Sequence, residues 1–594
     1  MLFKPMRKTM KPRFIFTVVL SLFAIHSFAA NGTMKGDGSA EKPFEIEDYG
    51  DLKAIGTGAY LYSSKYVVTK DIDASASKKE QCDGDGNCKG FMPIGKNKDA
   101  ADSSVFGGTI DGKNHTIRNL KIYYENSSEI AFIVDLRGSV VNLNFDSLSV
   151  TGTGTYRKVG GVASRNRGEI TNVHVTNGFV HGYDRVGGIA GLNDGTMIKN
   201  ASFQGVVKGH QQVGGIAGSS SAMLDSVFAD VNVSAAESQA GGIVGDNEGY
   251  IVTCRSSGAL TSGNKVGGVA GCSDKEIIAC VSTVDILQDP TSLKSGVRVG
   301  GIVGENFGSV RLSYANGKIE GYEFVGGVAG DNEGFVENSY ALGSVKGEIS
   351  VGGLVGKNDV TYFLKKPEAS IFTSYAANVV EGREHVGGLI GNSIGDSVGV
   401  GVVVSAYWDM NVSGLDSSAG GTGLATGKMK NKSSFVCWDT LGYEILDYDE
   451  NNKELSRSGK MQKIWDFDEG VSYPHFDKNF TVYNLFLQDI VLQQYFSTSS
   501  IVKISHKTLV HRKSLSASFY GANVALRFEI PAAAAVKFSL VDMQGRVVKS
   551  LDLGQFAAGS HFETRSVENL SRGRYVGVLQ VNGRATEKVI LLKR

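Results

Sequence analysis

Four sets of residues in this 594-residue chain have the types and spacing to do chemistry. The first is a cysteine pair, Cys82 and Cys88, which brackets Asp83-Gly84-Asp85-Gly86-Asn87. Cysteines this close can be joined by a disulfide, and two unpaired thiols are the alternative. Asp83, Asp85 and Asn87 also imitate the opening of a calcium loop, in which alternate residues supply oxygen ligands. Cys88 stands where that loop requires glycine, and Ile94 where it requires a bidentate glutamate, so calcium is not expected there.

The second set is acidic. Asp246-Asn247-Glu248 and Asp331-Asn332-Glu333, with Glu305 between them, occupy the same place in a recurring segment. Stacked on adjacent coils, they would either hold a structural calcium between rungs or form a solvated turn. The third set is Tyr314, Tyr340 and Tyr375, each in Ser-Tyr-Ala. A stripe of such rings could stack against sugars, or pack as an internal ladder. Cys254 and Cys280, one coil apart, are either bridged or a pair of stacked buried thiols.

Catalytic patterns do not accompany these sets. The ten histidines are scattered with no HExxH, and no G-x-S-x-G elbow occurs. Acid–base chemistry on a stacked-coil scaffold would need carboxylates and a basic residue converging on one face, whereas the recurring positions hold mainly valine, glycine, asparagine, serine and tyrosine. The expectation is a non-enzymatic protein with no catalytic residues, no cofactor and no metal site beyond that calcium alternative.

The elements that must position these residues follow from a repeat. The segment Val186–Gly195, VGGIAGLNDG, has relatives starting at Val159, Val213, Ala240, Val266, Val299, Val325, Val351 and Val386, spaced by 27, 27, 27, 26, 33, 26, 26 and 35 residues. A phosphate-binding glycine loop occurs once, between a strand and a helix, so nine copies point to geometry instead of an anion. Glycine accounts for 77 residues, an excess the repeat absorbs. Double glycines and the lack of a 3.6-residue apolar period disfavour helix. The asparagines Asn166, Asn193, Asn247, Asn306 and Asn332, each two residues before Gly168, Gly195, Gly249, Gly308 and Gly334, predict a corner closed by the amide side chain, with glycine at positive φ. The fold class is therefore all-β: a parallel β-solenoid of about nine or more coils, apolar ladders inside, and a side-chain-free stripe of glycine.

Val351-Gly352-Gly353-Leu354-Val355-Gly356 resembles, letter for letter, the core of the GLUG-type repeats of bacterial surface and secreted proteins. The resemblance spans about residues 160 to 410 and departs from its pattern where Ser220, Ser273 and Ser393 replace the corner asparagine. It implies leading coils with a capping helix over 30–158, repeats over 159–412 and a closing segment over 413–476, since open strand edges invite aggregation.

The ends carry further expectations. Lys4, Arg7, Lys8, Lys11 and Arg13 precede an apolar run from Phe14 to Ile25 and a small-residue cleavage site at Ala29-Ala30, so residues 1–29 read as a secretory signal peptide. The remaining 56 basic and 61 acidic residues give no electrostatic support for nucleic acid, and no later run is long and apolar enough to span a membrane. From 514 to 594 period-two strands separated by glycine turns predict a small antiparallel sandwich of immunoglobulin-like kind, after a linker at 477–513. Val541-Asp542-Met543-Gln544-Gly545-Arg546, Ala558-Gly559, Leu570-Ser571-Arg572-Gly573-Arg574-Tyr575 and Lys588 to Arg594 resemble the C-terminal sorting domain of type IX secretion cargo. That resemblance implies the type IX machinery as a partner and delivery to the outer-membrane surface or beyond. The function expected is an adhesin-like scaffold, with an extracellular polysaccharide or surface partner; the alternative is a polysaccharide-active or carbohydrate-binding β-helix.

Overall fold

The computed structural model describes residues 34–95, 105–125, 127, 129–154, 158–287, 296–359, 369–396, 399–435, 438, 442–448, 454–477, 515–520, 523–530, 532–542, 546–568, 570–571, 573–582 and 584–593. The expected signal peptide, almost all of the 477–513 linker, and Met543 to Gly545 and Arg572 of the sorting motif lie outside these residues.

The described chain is all-β apart from short helical turns, and its centre is a parallel β-solenoid of about nine turns. Each double-glycine segment pairs in register with the next, so that Val159, Val186, Val213, Ala240, Val266, Val299, Val325, Val351 and Val386 form one ladder. The strand that follows each of them, such as Ala190–Asn193 or Val303–Asn306, belongs to a separate 12-stranded sheet. The rest of each coil wraps round to complete the larger sheet. Between the two lies a continuous apolar core, in which Ile170, Ile198, Leu224, Ile251, Ile277, Val310, Val336 and Ile371 stack as one fully buried ladder. Burying each such side chain contributes about 1.5–3 kcal/mol before entropy is subtracted.

The glycine stripe serves close approach of backbone. A Cβ on Gly187 would lie 2.0 Å from the Ala190 carbonyl oxygen, one on Gly188 2.2 Å from that of Gly215 in the next coil, and one on Gly218 2.3 Å from the Arg185 carbonyl carbon in the coil before. All three glycines of the motif are thus wedged between main chains, and any side chain would force the sheets apart.

The corners correct one expectation. None of Gly168, Gly195, Gly249, Gly308 and Gly334 has a positive φ. These positions need glycine for the same reason as the stripe: a Cβ on Gly308 would lie 2.1 Å from the Lys275 carbonyl oxygen, and one on Gly334 2.0 Å from that of Gly308. Left-handed backbone is taken instead by residues with side chains, among them Arg185, Gln212, Lys265, Arg298 and Phe324 just before the double glycine, and Asn172, Asn200, Ser226, Thr253 and Leu312 at a second bend. Each pays a steric cost of about 1–2 kcal/mol, which in-register pairing on both sides offsets.

Corner asparagines do close the turn as read. The Asn247 Oδ1 accepts from the Gly249 N–H at 3.2 Å, and the side chains also bond rung to rung: Asn306 Nδ2 donates to Asn332 Oδ1 at 2.7 Å and Asn332 Nδ2 to Asn358 Oδ1 at 2.8 Å. Ser220 and Ser273 cause no bulge there; their hydroxyls accept from Asn193 Nδ2 and Asn247 Nδ2 at 2.9 Å each, which keeps the ladder unbroken.

Ahead of the repeats, the helix Tyr49–Ala54 is capped by Asp48, whose side chain accepts from the Asp51 N–H, and it buries Leu52 against the first coils. Behind them, Trp408 enters the core and Ser418 accepts from the N–H groups of Leu389 and Ile390, finishing the last edge. The chain then turns back along the outside of the solenoid. At the C-terminus, a three-stranded and a four-stranded antiparallel sheet share one apolar cluster that includes Leu526, Phe528, Phe538, Leu540 and Leu579.

Candidate functional site

In-register stacking converts one position per coil into a ladder, so functional groups here are ladders rather than pockets. The acidic set is one of these. Asp246, Cys272, Glu305, Asp331 and Lys357 succeed one another along the outward side of the 12-stranded sheet. Left-handed residues of the neighbouring strands lean over it: Lys265 Nζ lies 2.5 Å from Glu305, and Arg298 Nε lies 2.9 Å from Glu305 and 3.4 Å from Asp331. Lys357 Nζ sits 3.6 Å from Asp331 and 2.5 Å from Asp359, and both Arg298 and Lys357 lie over the Phe324 ring.

Glu305, Asp331 and Glu333 bring carboxylate oxygens within 4.8 Å of one another, as no other group of three does among the described residues. Glu305 and Asp331 are buried, so at these two positions the solvated-turn reading is corrected. Burial pushes the Asp331 carboxyl up to about 6 against the pull of Lys357 and Arg298. Burial likewise raises Asp246 to about 6, helped by Glu248 and Asp274 and opposed by the hydrogen bond from Gln212. Lys265, Arg298 and Lys357 set three cations among the carboxylates of Glu305, Asp331, Glu333 and Asp359. Chemically, the corner is a seam of ion pairs that ties coils together.

The tyrosines form a second ladder. Tyr314 and Tyr340 stack at 4.7 Å with rings 1° apart, and Tyr340 and Tyr375 at 4.9 Å and 5°. The returning chain covers them: Trp465 and Phe476 pack on Tyr340, Trp438 and Tyr473 on Tyr375, and the Tyr375 hydroxyl donates to the Pro474 carbonyl at 2.7 Å. Burial pushes both phenols upward. The sugar-stacking reading of these rings is therefore corrected; they are the floor under a lid. A sequence signal for this existed in Phe435, Trp438, Trp465, Phe467, Tyr473 and Phe476, an aromatic density on the closing segment that matches the stripe.

Among the described residues, the same ladder has an uncovered end that sequence reading missed. Its order is Ser202, Phe228, Arg255, Val281, Tyr314, Tyr340, Tyr375 and Tyr407. Phe228 is 44% exposed and Arg255 is exposed beside it.

Cys82 and Cys88 are joined in a disulfide with Cα atoms 3.8 Å apart. Asp83 holds the enclosed loop from within, accepting from the N–H groups of Asp85 and Asn87 at 3.0 and 2.8 Å, so its oxygens are engaged by the turn itself. Cys254 and Cys280 are stacked, buried and unbonded to each other; Cys254 lies with its thiol pushed well up by burial and by Cys280. Cys272 is a third buried free thiol, in the charged ladder.

No family model matches the chain. A stretch of 152 residues, 25% of the chain, is 32% identical to halomucin of Haloquadratum walsbyi, of whose length it spans 2%. A solved chain from Bacteroides ovatus, provisionally labelled an immunoglobulin A1 protease, aligns over 47% of this chain and 86% of its own at 19% identity with a TM-score of 0.33.

Proposed function

We propose that this chain is an exported, non-enzymatic surface scaffold of the GLUG-repeat kind, whose rod holds an adhesive face away from the cell. The supporting observation is how the solenoid uses its recurring polar and charged positions: they are spent on one another, rung to rung, as in the buried Asn306–Asn332–Asn358 chain and the Lys265–Glu305–Arg298–Asp331 seam. Such pairing stabilises a long rigid body and leaves recognition to the side chains that stand outside these ladders.

The apolar leader and the C-terminal sheets complete this reading. The leader carries the chain across the inner membrane. The C-terminal unit, an immunoglobulin-like sandwich acting as a type IX sorting domain, addresses it to the machinery of the outer membrane. Halomucin's similarity over a quarter of the chain is in keeping with a role outside the cell. Among the described residues no helix is long and apolar enough to cross a membrane.

Deleting 514–594 in the native host tests the sorting role. The truncated rod is expected to accumulate in the periplasm, read by fractionation and by protease accessibility of intact cells. Its appearance on the surface overturns the assignment.

A further inference from the structure

The lid stops at Tyr314, the last ring touched by Phe476, at 6.3 Å, but the ladder beneath it does not stop. Its next rungs are Val281, Arg255 and Phe228, in strict register and, among the described residues, without an aromatic partner from the lid. Under the lid the ladder is tyrosine and its partner is aromatic polypeptide. Beyond the lid the chemistry changes.

Phe228 presents an apolar ring at 44% exposure, and the rung beside it is an exposed arginine, so one apolar face and one cation stand side by side. Arg255, paired with it across the rungs, is exposed, and its guanidinium meets no ion pair or hydrogen bond among the described residues. Two residues along, Gln204, Asp230 and Ser257 form a parallel ladder of their own, with Gln204 Nε2 donating to Asp230 at 3.2 Å and Ser257 Oγ at 3.0 Å. Ser202 extends the first ladder on the far side of Phe228.

We propose that this uncovered end, centred on Phe228 and Arg255, binds a linear glycan that carries carboxylated sugars. An aromatic ring offers the apolar face on which a pyranose stacks. A free guanidinium offers the fork that takes a carboxylate through two parallel hydrogen bonds. The amide, carboxylate and hydroxyl ladder alongside holds pre-positioned partners for sugar hydroxyls, already fixed by one another and so ordered at little further cost. Rungs about 4.8 Å apart set the Ser202 hydroxyl, the Phe228 ring and the Arg255 guanidinium in one line along the axis, which suits an extended chain better than a compact ligand. The site is continuous with the lid interface, and it is the place where that interface exchanges aromatic partners for polar ones. It deepens the surface-scaffold reading by giving the rod a ligand, and it rests on that reading for its location outside the cell.

Calorimetric titration of the purified full chain with tetragalacturonic acid, and with cellotetraose as the neutral control, tests it. Saturable binding of the acidic oligosaccharide and weaker binding of the neutral one are expected. Phe228→Ala and Arg255→Gln are each expected to weaken binding by about tenfold or more, with unchanged melting temperature and circular dichroism because both side chains are exposed. Absence of saturable binding, equal affinity for both oligosaccharides, or affinity untouched in both variants overturns the site. Fractionation of the same strain keeps the two readings apart: a chain found at the surface that binds neither probe sinks the glycan site and leaves the scaffold, whereas a binding chain confined inside the cell does the reverse.

Discussion

At the scale of single residues, the two carboxyls raised to about 6 make the most direct claim. Asp246 and Asp331 each bind a proton more tightly folded than unfolded, because burial disfavours their charged form. The sign is opposite to that of ordinary paired carboxylates. Above pH 6 the folded chain carries the full burial penalty; as pH falls through 6 towards 4 the penalty is relieved and stability rises from this source. Asp246→Asn keeps an acceptor for Gln212 and removes the charge. It is expected to stabilise the protein by about 1–2 kcal/mol at pH 7.5 and by little at pH 4, read from urea midpoints at the two pH values. A glycine pair separates geometry from composition at the same scale. Gly308→Ala puts a methyl against the Lys275 carbonyl and is expected to cost about 2–3 kcal/mol, whereas Gly84→Ala, with nothing within 4 Å of its Cβ, is expected to be nearly neutral in melting temperature.

At the scale of elements, the asparagine corner and the lid each have a distinct failure. Asn332→Ala removes the Asn332 acceptor of Asn306 Nδ2, which keeps only the Phe335 carbonyl, and takes the Asn332 donor from Asn358 Oδ1 in a fully buried seam, at a cost of about 2–3 kcal/mol. Asn332→Ser is expected to cost less than half of that, since serine already serves in two native coils at Ser220 and Ser273. Denaturation midpoints of the two variants side by side check the order. Trp465 is buried between the Tyr340 and Tyr375 rings and Trp438 and donates to Asn338 Oδ1 at 3.3 Å. Trp465→Ala is expected to cost the lid about 3–5 kcal/mol and release it while the coils persist, seen as new dye binding to exposed apolar surface with far-ultraviolet circular dichroism retained.

The corners also show where sequence reading succeeded and where it could not. Asn247 was legible because an asparagine two residues before glycine has a local reason to turn. The reason for Gly249 was not legible, because the atom it avoids, the Ala222 carbonyl oxygen at 2.3 Å, belongs to another coil. Likewise the period announced a tyrosine stripe, but only where Trp438, Trp465 and Tyr473 pack decides that Tyr375 is covered, while Phe228 stays exposed among the described residues. The positive φ at Arg298 and Phe324 had no sequence signature, since neither residue favours that conformation and only stacking enforces it.

At the scale of the whole molecule, contacts run between neighbouring coils, so stability is a sum of similar interfaces and the ends govern access to it. The chain's three tryptophans, Trp408, Trp438 and Trp465, all lie at the C-terminal end or in the lid, and all are buried. Their emission is therefore expected to shift red on lid release before the β signal is lost. A single coincident transition by fluorescence and circular dichroism would show instead that lid and coils unfold as one unit.

One consequence belongs to the two long spacings in the repeat. Where the period lengthens to 33 and 35 residues, the coils on either side still meet in register, Gly267 against Gly300 and Gly352 against Gly387. The surplus falls between Leu287 and Gly296 and between Asp359 and Ala369, so the scaffold has already been lengthened twice without disturbing its pairing. Those two junctions are natural grafting points, where an epitope tag or a foreign peptide could be spliced in without shifting the rungs on either side.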